Sequence, residues 1–345
     1  MSQGRKVGPA RLEVSVPIDP VLQRILERIA ELEHLPPSEM TPEEVRTTYM
    51  AMAAMGAVPS NPPVVQDRHI PGPAGEIPLR VYRPSGAAAP VSTAAPVSTA
   101  GPVSTEMRPV VVFLHGGGWV IGSVDTHDAL CQQLAVQVPA LVVSVDYRLA
   151  PEHPFPAGLE DGLAATAWVS KHARELGADP DRLAVAGDSA GGNMSAVISR
   201  RARDSGGPPI IFQLLLYPPT DLANSYPSHK ENGEGYLLTS EMMDWFADHY
   251  LGDRDRRDPD ISPLYAQNLS ELPPALVVTA EFDPLRDEGE VYAERLRGAG
   301  VDVRLVRYDG MIHGFLQMNG VVHGAATAIA DVAGTLREVF GLVEV

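Results

Sequence analysis

Apolar and polar positions change their rhythm along the chain. Leu22, Ile25, Leu26, Ile29 and Leu32 recur at helical spacing, with Asp19 and Pro20 placed as N-cap and first helical residue, which predicts an amphipathic helix. A second helix is signalled by Thr41 and Glu44 as a capping box with Pro42 between them, leading into a Met- and Ala-rich stretch over 49–55. That methionine-rich face reads as packing more readily than as a substrate wall. From residue 64 the period shortens. The β-branched runs 64–70 and 79–83 flank Pro71-Gly72-Pro73, a hairpin pattern. Continuous apolar runs at 110–114, 141–145, 183–186, 212–217, 275–279 and 303–308 then alternate with helical stretches. Such alternation predicts an α/β protein: a mostly parallel sheet, eight-stranded with the hairpin included, covered by helices on both faces.

Two segments break the alternation. Between 84 and 107 lies a hexapeptide repeat, Ala89-Pro90-Val91-Ser92-Thr93-Ala94, repeated over 95–100 and begun again at Gly101. With a proline in every unit and no aromatic residue it cannot build a core, so a mobile surface loop is expected. Residues 221–263 hold polar turns followed by Tyr236, Leu237, Leu238, Met242, Met243, Trp245, Phe246 and Tyr250. This reads as an insertion above the sheet, forming a helical cap together with residues 1–60. The α/β body is then expected over 61–220 and 264–345.

Composition narrows the function. The 44% apolar content supports a large core, and no run reaches the roughly eighteen apolar residues of a membrane span. Residues 1–17 carry no secretory pattern, so a cytoplasmic protein is expected. The single Cys131 excludes an internal disulfide and reads as a small buried apolar residue. A net charge of -17 disfavours nucleic acid and anionic membranes and points to a small neutral substrate. A homodimer is compatible with the sequence, which does not fix the oligomeric state.

The chemistry resides in three places. Gly187-Asp188-Ser189-Ala190-Gly191 follows the strand 183–186 and precedes a helix expected from Gly192 onward. A nucleophilic serine stands on such a strained strand-to-helix turn, where small neighbours let the backbone crowd. His115-Gly116-Gly117-Gly118-Trp119 follows the strand 110–114; acyl transfer passes through an oxyanion that unobstructed backbone N–H groups stabilise. Gly116 and Gly117 are the expected donors, with Ala190 as the third, and His115 is expected to position the loop. No phosphate-loop lysine or dinucleotide-binding spacing accompanies these glycines. Downstream come Asp283, after the strand 275–279, and His313, after the strand 303–308, in the order such an elbow requires. His313 would take the proton of Ser189 while Asp283 fixes its tautomer. Asp287 and Asp309 are rivals for the acid. His323 reads as a surface residue of a terminal helix, and Asp188 as the variable residue of the elbow.

As a set, these motifs resemble the bacterial hormone-sensitive-lipase-like esterases of the α/β-hydrolase fold. The set comprises the glycine loop at 115–119, Asp146-Tyr147-Arg148-Leu149-Ala150-Pro151-Glu152-His153-Pro154-Phe155-Pro156-Ala157, the elbow at 187–193, the acidic segment 283–289 and His313-Gly314-Phe315. The resemblance runs from about Pro20 to the C-terminus, and the repeat has no expected counterpart in the family. It implies a cap built from N-terminal helices and an insertion before the acid, matching the segments named above. It also implies hydrolysis of short- to medium-chain acyl esters through an acyl-enzyme on Ser189, with no cofactor and no metal. The 146–157 segment reads as structural, held by an internal ion pair. Leu22, Ile25, Leu237, Leu238, Met242, Trp245 and Phe246 are candidates for the pocket wall. Two other readings stay open at this point: an amidase or deacetylase using the same triad, and a small-molecule receptor, since plant gibberellin receptors resemble this fold with a defective triad.

Overall fold

The computed structural model describes residues 17–31, 36, 39–85 and 107–342; the hexapeptide repeat and residues 1–16 lie outside the described residues. Its centre is an eight-stranded sheet formed by β1 (Val64–Gly72), β2 (Gly75–Arg83), β3 (Arg108–Leu114), β4 (Leu141–Val145), β5 (Ala178–Asp188), β6 (Phe212–Leu216), β7 (Ala275–Phe282) and β8 (Val303–Ile312). The strand order is β1-β2-β4-β3-β5-β6-β7-β8. β2 is antiparallel to β1 and β4, and all other pairs are parallel. The hairpin pairs Gly72 with Gly75, so its turn falls at Pro73 and Ala74.

Side chains of a strand alternate between faces. In β3, Val110, Val112 and Leu114 join one core cluster while Val111 and Phe113 join another, and all are fully buried. Burial on both faces is why these strands read as unbroken apolar runs. The helices are α1 (Pro20–Glu31), α2 (Pro42–Met52), α3 (Asp128–Gln137), α4 (Ala157–His172), α5 (Ala190–Ser205), α6 (Pro227–Asn232), α7 (Ser240–Leu251), α8 (Arg286–Gly298) and α9 (His323–Val339). Leu159 and Val169 of α4 and Val197 and Ile198 of α5 complete the first cluster. Leu130 and Leu134 of α3 and Ile329 and Leu336 of α9 complete the second. No helix among the described residues is long and apolar enough to cross a membrane.

Both N-terminal caps form as their residue types dictate. Asp19 Oδ1 accepts from Val21 N at 2.7 Å and opens α1, and the Thr41 and Glu44 pair closes a reciprocal box on α2. The two helices then take different places. α1 buries Leu22 completely in the second cluster, with Ile25 and Leu26 packed against it, and Asp19 N donates to Gly310 O of β8 at 3.0 Å. α2 sets Val45 into the first cluster. α7, in the insertion, contributes Trp245, Phe246, Tyr250 and Leu251 to that same cluster.

Leu22 is therefore an anchor of α1. Leu22→Ala is expected to lower unfolding stability by about 2–5 kcal/mol, the range for a truncated core leucine, in chemical denaturation followed by circular dichroism. A change below about 0.5 kcal/mol, typical of surface positions, would show that α1 is not held this way.

Candidate active site

β5 ends at Asp188 and α5 begins at Ala190, leaving Ser189 alone at the corner with φ 51° and ψ -121°. A non-glycine residue there is strained and needs its surroundings to hold it. Ser189 N donates to Leu216 O at 2.8 Å. The chain can turn so sharply because a Cβ on Gly191 would lie 1.8 Å from the Leu114 carbonyl oxygen, and one on Gly187 would lie 2.3 Å from Gly191 C. The helix starts at Ala190, earlier than Gly192 as expected from sequence, because the small residues of the elbow already adopt helical geometry. Ala190 thus occupies the first helical position, where the N–H has no partner within the helix.

His313 follows β8 directly, and Asp283 follows β7. Their strands are neighbours in the sheet, which brings the two loops together. His313 Nδ1 is 2.8 Å from Asp283 Oδ2, and His313 Nε2 is 2.9 Å from Ser189 Oγ. Asp283 is fully buried, and its other oxygen accepts from Leu285 N at 2.8 Å. The Tyr217 ring meets the imidazole in an edge contact at 5.0 Å. The rival acids are elsewhere. Asp287 accepts from Ser228 N at 2.8 Å and pairs with Arg286, Asp309 is exposed, and His323 is an exposed residue opening α9.

The glycine loop departs from expectation at Gly116. Its N–H donates to Asp188 Oδ1 at 2.8 Å and is thereby engaged, whereas Gly117, Gly118 and Ala190 line the cavity beside Ser189. Gly117 and Gly118 have φ of 118° and 55°, a region that favours glycine. The Phe246 ring fills the space where a Cβ of Gly118 would stand, and Trp119 stacks on Tyr250 at 4.5 Å. Two aromatic residues of α7 thus press on the loop. His115 is buried, stacked on Tyr147 at 4.2 Å, and burial together with nearby His127 pushes its pKa down to about 3. Its Nδ1 lies 2.8 Å from Gly116 O, within the loop that it opens.

The 146–157 segment holds its charges through partners outside itself. Arg148 forms a two-pronged pair with Asp161 of α4, at 2.8 Å for each contact, and Glu152 pairs with Arg46 of α2. The ion pairing is therefore not internal to the segment. Tyr147 donates its hydroxyl hydrogen to His115 O at 2.7 Å.

Ser189 and His313 open onto a cavity of about 440 Å³. Leu237, Leu238, Met242 and Phe246 line it as expected, whereas Leu22, Ile25 and Trp245 are packed into the core instead. Tyr49 and Met52 of α2 also line it, so the methionine-rich face does form part of the wall. Gln317, which no sequence pattern singles out, lines it close to His313. Asp221, His229 and Glu288 lend polarity to another side, where buried Glu288 accepts from Thr220 N at 2.6 Å and meets His229 Nε2 at 2.8 Å.

Residues 111–317 match a family model described as the alpha/beta hydrolase fold. Over 280 residues, 79% of this chain and 70% of the relative, the sequence is 48% identical to the carboxylic ester hydrolase LipN of Mycobacterium tuberculosis. It is 43% identical over 315 residues, 90% of this chain and 92% of the relative, to the esterase LipI of the same organism. Among solved structures, a hyperthermophilic esterase from the archaeon Pyrobaculum calidifontis superposes with a TM-score of 0.85 at 41% identity, covering 94% of this chain and 99% of that one.

The contact between Gly191 and the Leu114 carbonyl leaves no room for a methyl group. Gly191→Ala is expected to destabilise the protein by at least the ~1–3 kcal/mol of an overpacked core, read as a lowered denaturation midpoint. A wild-type midpoint would show that the elbow can relax away from β3.

Proposed function

This chain, a serine carboxylesterase, belongs to the bacterial hormone-sensitive-lipase-like esterases of the α/β-hydrolase family, and we propose that Ser189, His313 and Asp283 form the triad with which it hydrolyses short- to medium-chain acyl esters. The observation that carries this reading is the unbroken line from Asp283 Oδ2 through the His313 ring to Ser189 Oγ, with contacts of 2.8 and 2.9 Å. Ser189 Oγ attacks the ester carbonyl as His313 Nε2 takes its proton, and Asp283 holds the ring and stabilises the imidazolium. The oxyanion of the tetrahedral intermediate is received by the N–H groups of Gly117, Gly118 and Ala190. Collapse of that intermediate returns the proton from His313 to the departing alcohol and leaves an acyl group on Ser189. Water, deprotonated by His313, then attacks the acyl carbon, the bond to Ser189 Oγ breaks to release the acid, and the proton on His313 returns to Ser189 Oγ.

Acyl length follows from the wall. A cavity of about 440 Å³ bounded by Tyr49, Met52, Leu238, Met242 and Phe246 accommodates a short or medium chain, each buried methylene adding about 0.8 kcal/mol until the space is filled. A small neutral substrate fits an acidic protein, since a net charge of -17 repels anionic esters. A cytoplasmic setting accords with the single Cys131, a buried free thiol.

Three measurements test the reading. Ser189→Ala is expected to abolish turnover of 4-nitrophenyl butyrate while circular dichroism stays unchanged; a variant keeping a tenth of wild-type kcat would sink it. Asp283→Asn is expected to lower kcat by roughly 10⁴-fold, as the analogous change does in a serine protease triad, and Asp287→Asn by far less. The reverse ranking would move the acid. Across acetyl to hexadecanoyl nitrophenyl esters, kcat/KM should peak at a short or medium chain, and a continued rise to the longest would contradict an acyl site of this volume.

A further inference from the structure

The hydrolytic steps give no task to the buried carboxylate beside the nucleophile. Asp188, next to the nucleophile, is almost fully buried. Burial works to raise its pKa, but the adjacent His127 and the Gly116 N–H outweigh that effect and hold it below the usual carboxylate range. A buried anion costs several kcal/mol unless its oxygens are well supplied with donors. Here Gly116 N donates to Oδ1 at 2.8 Å, His127 Nε2 lies 3.0 Å from the same oxygen, and Gln317 Nε2 donates to Oδ2 at 3.2 Å.

Gln317 extends this arrangement to the cavity wall. It sits in the short helical turn Phe315–Met318 just after His313, and its Nε2 also lies 2.8 Å from the hydroxyl oxygen of Tyr49, on α2. The same helix reaches the far end of the glycine loop directly. Arg46 Nε donates to Val120 O at 2.9 Å, and the rest of its guanidinium binds Ala150 O and the Glu152 carboxylate. Both ends of the loop are thus tied to α2, one directly and one through Asp188 and Gln317. Between the ends stand Gly117 and Gly118, which have no side chains with which to anchor themselves.

We propose that Asp188 and Gln317 are positioning residues for ester hydrolysis, and that through them and Arg46 helix α2 supports the oxyanion loop as well as walling the cavity. The proposal rests on the triad and oxyanion assignment made above. Donors of this kind act only when held within a fraction of an ångström of the developing charge. Loosening Gly116 displaces the N–H groups that follow it, so the transition state loses more than the bound substrate does.

The test uses the full-length protein with 4-nitrophenyl butyrate and the thiono analogue in which sulfur replaces the carbonyl oxygen. Sulfur is larger and a weaker hydrogen-bond acceptor, so the thiono ester draws little on the oxyanion donors. Gln317→Met, which keeps the volume and removes the amide, is expected to lower kcat on the oxygen ester about tenfold with KM within about twofold, and to change the thiono rate by less than about threefold. Asp188→Asn should act in the same direction, by about a hundredfold, and Tyr49→Phe, which removes a single oxygen, by about threefold. If Asp188→Asn does not fold, the other two variants decide. An unchanged oxygen-ester kcat in Gln317→Met, or equal losses on both esters, would overturn the proposal. A failure of the underlying triad reading is distinguishable from both, since it appears as turnover persisting in Ser189→Ala.

Discussion

Gly191, in the first turn of α5, packs against the carbonyl of Leu114 at the end of β3, at a distance where any side chain would collide. This contact fixes two parts of the site together. It sets the corner on which Ser189 stands, with its strained backbone, and it sets the point from which the glycine loop departs, because His115 and Gly116 follow Leu114 directly. Neighbouring strands then deliver the other members: β7 ends just before Asp283 and β8 just before His313. The parallel sheet thus gathers distant residues at one edge, and one tight approach of helix to strand gives that edge its geometry.

Charge is handled in the same economical way. Three of the carboxylates buried near the site have their oxygens met by fixed partners: Asp283 by Leu285 N and His313, Asp188 by Gly116 N, His127 and Gln317, and Glu288 by Thr220 N and His229. An anion unmatched in this way would cost more than folding could sustain. The donors come from separate loops and helices, so the buried anions also link these parts of the site to one another.

Much of this was legible in the chain. The caps at Asp19 and Thr41 are local hydrogen bonds between residues a few positions apart, and local chemistry is written in local sequence. The alternation of buried strands and the order Ser189, Asp283, His313 carry the fold and the proposed chemistry for the same reason: each rests on a pattern within one segment and on chain order. What was not legible depends on distant partners. Periodicity marks Leu22 as buried but not against what, and it packs into the second core cluster rather than lining the cavity. Gly116 looks like its neighbours until the Asp188 carboxylate is seen to engage its N–H. The partner of Arg148 is Asp161, a residue outside the segment that seemed self-contained. Gln317 carries no motif at all, and only the convergence of α2 with the loop after His313 shows its contacts.

The proposed hydrolysis turns on covalent acylation of Ser189. The most direct measurement is intact-mass and peptide mass spectrometry after reaction with a 4-nitrophenyl alkylphosphonate, which forms a stable adduct where the acyl group would sit. A single adduct per chain is expected, on the peptide containing Ser189, rising in step with loss of esterase activity. Full inactivation with the adduct on another residue, or turnover persisting once Ser189 is fully modified, would contradict it.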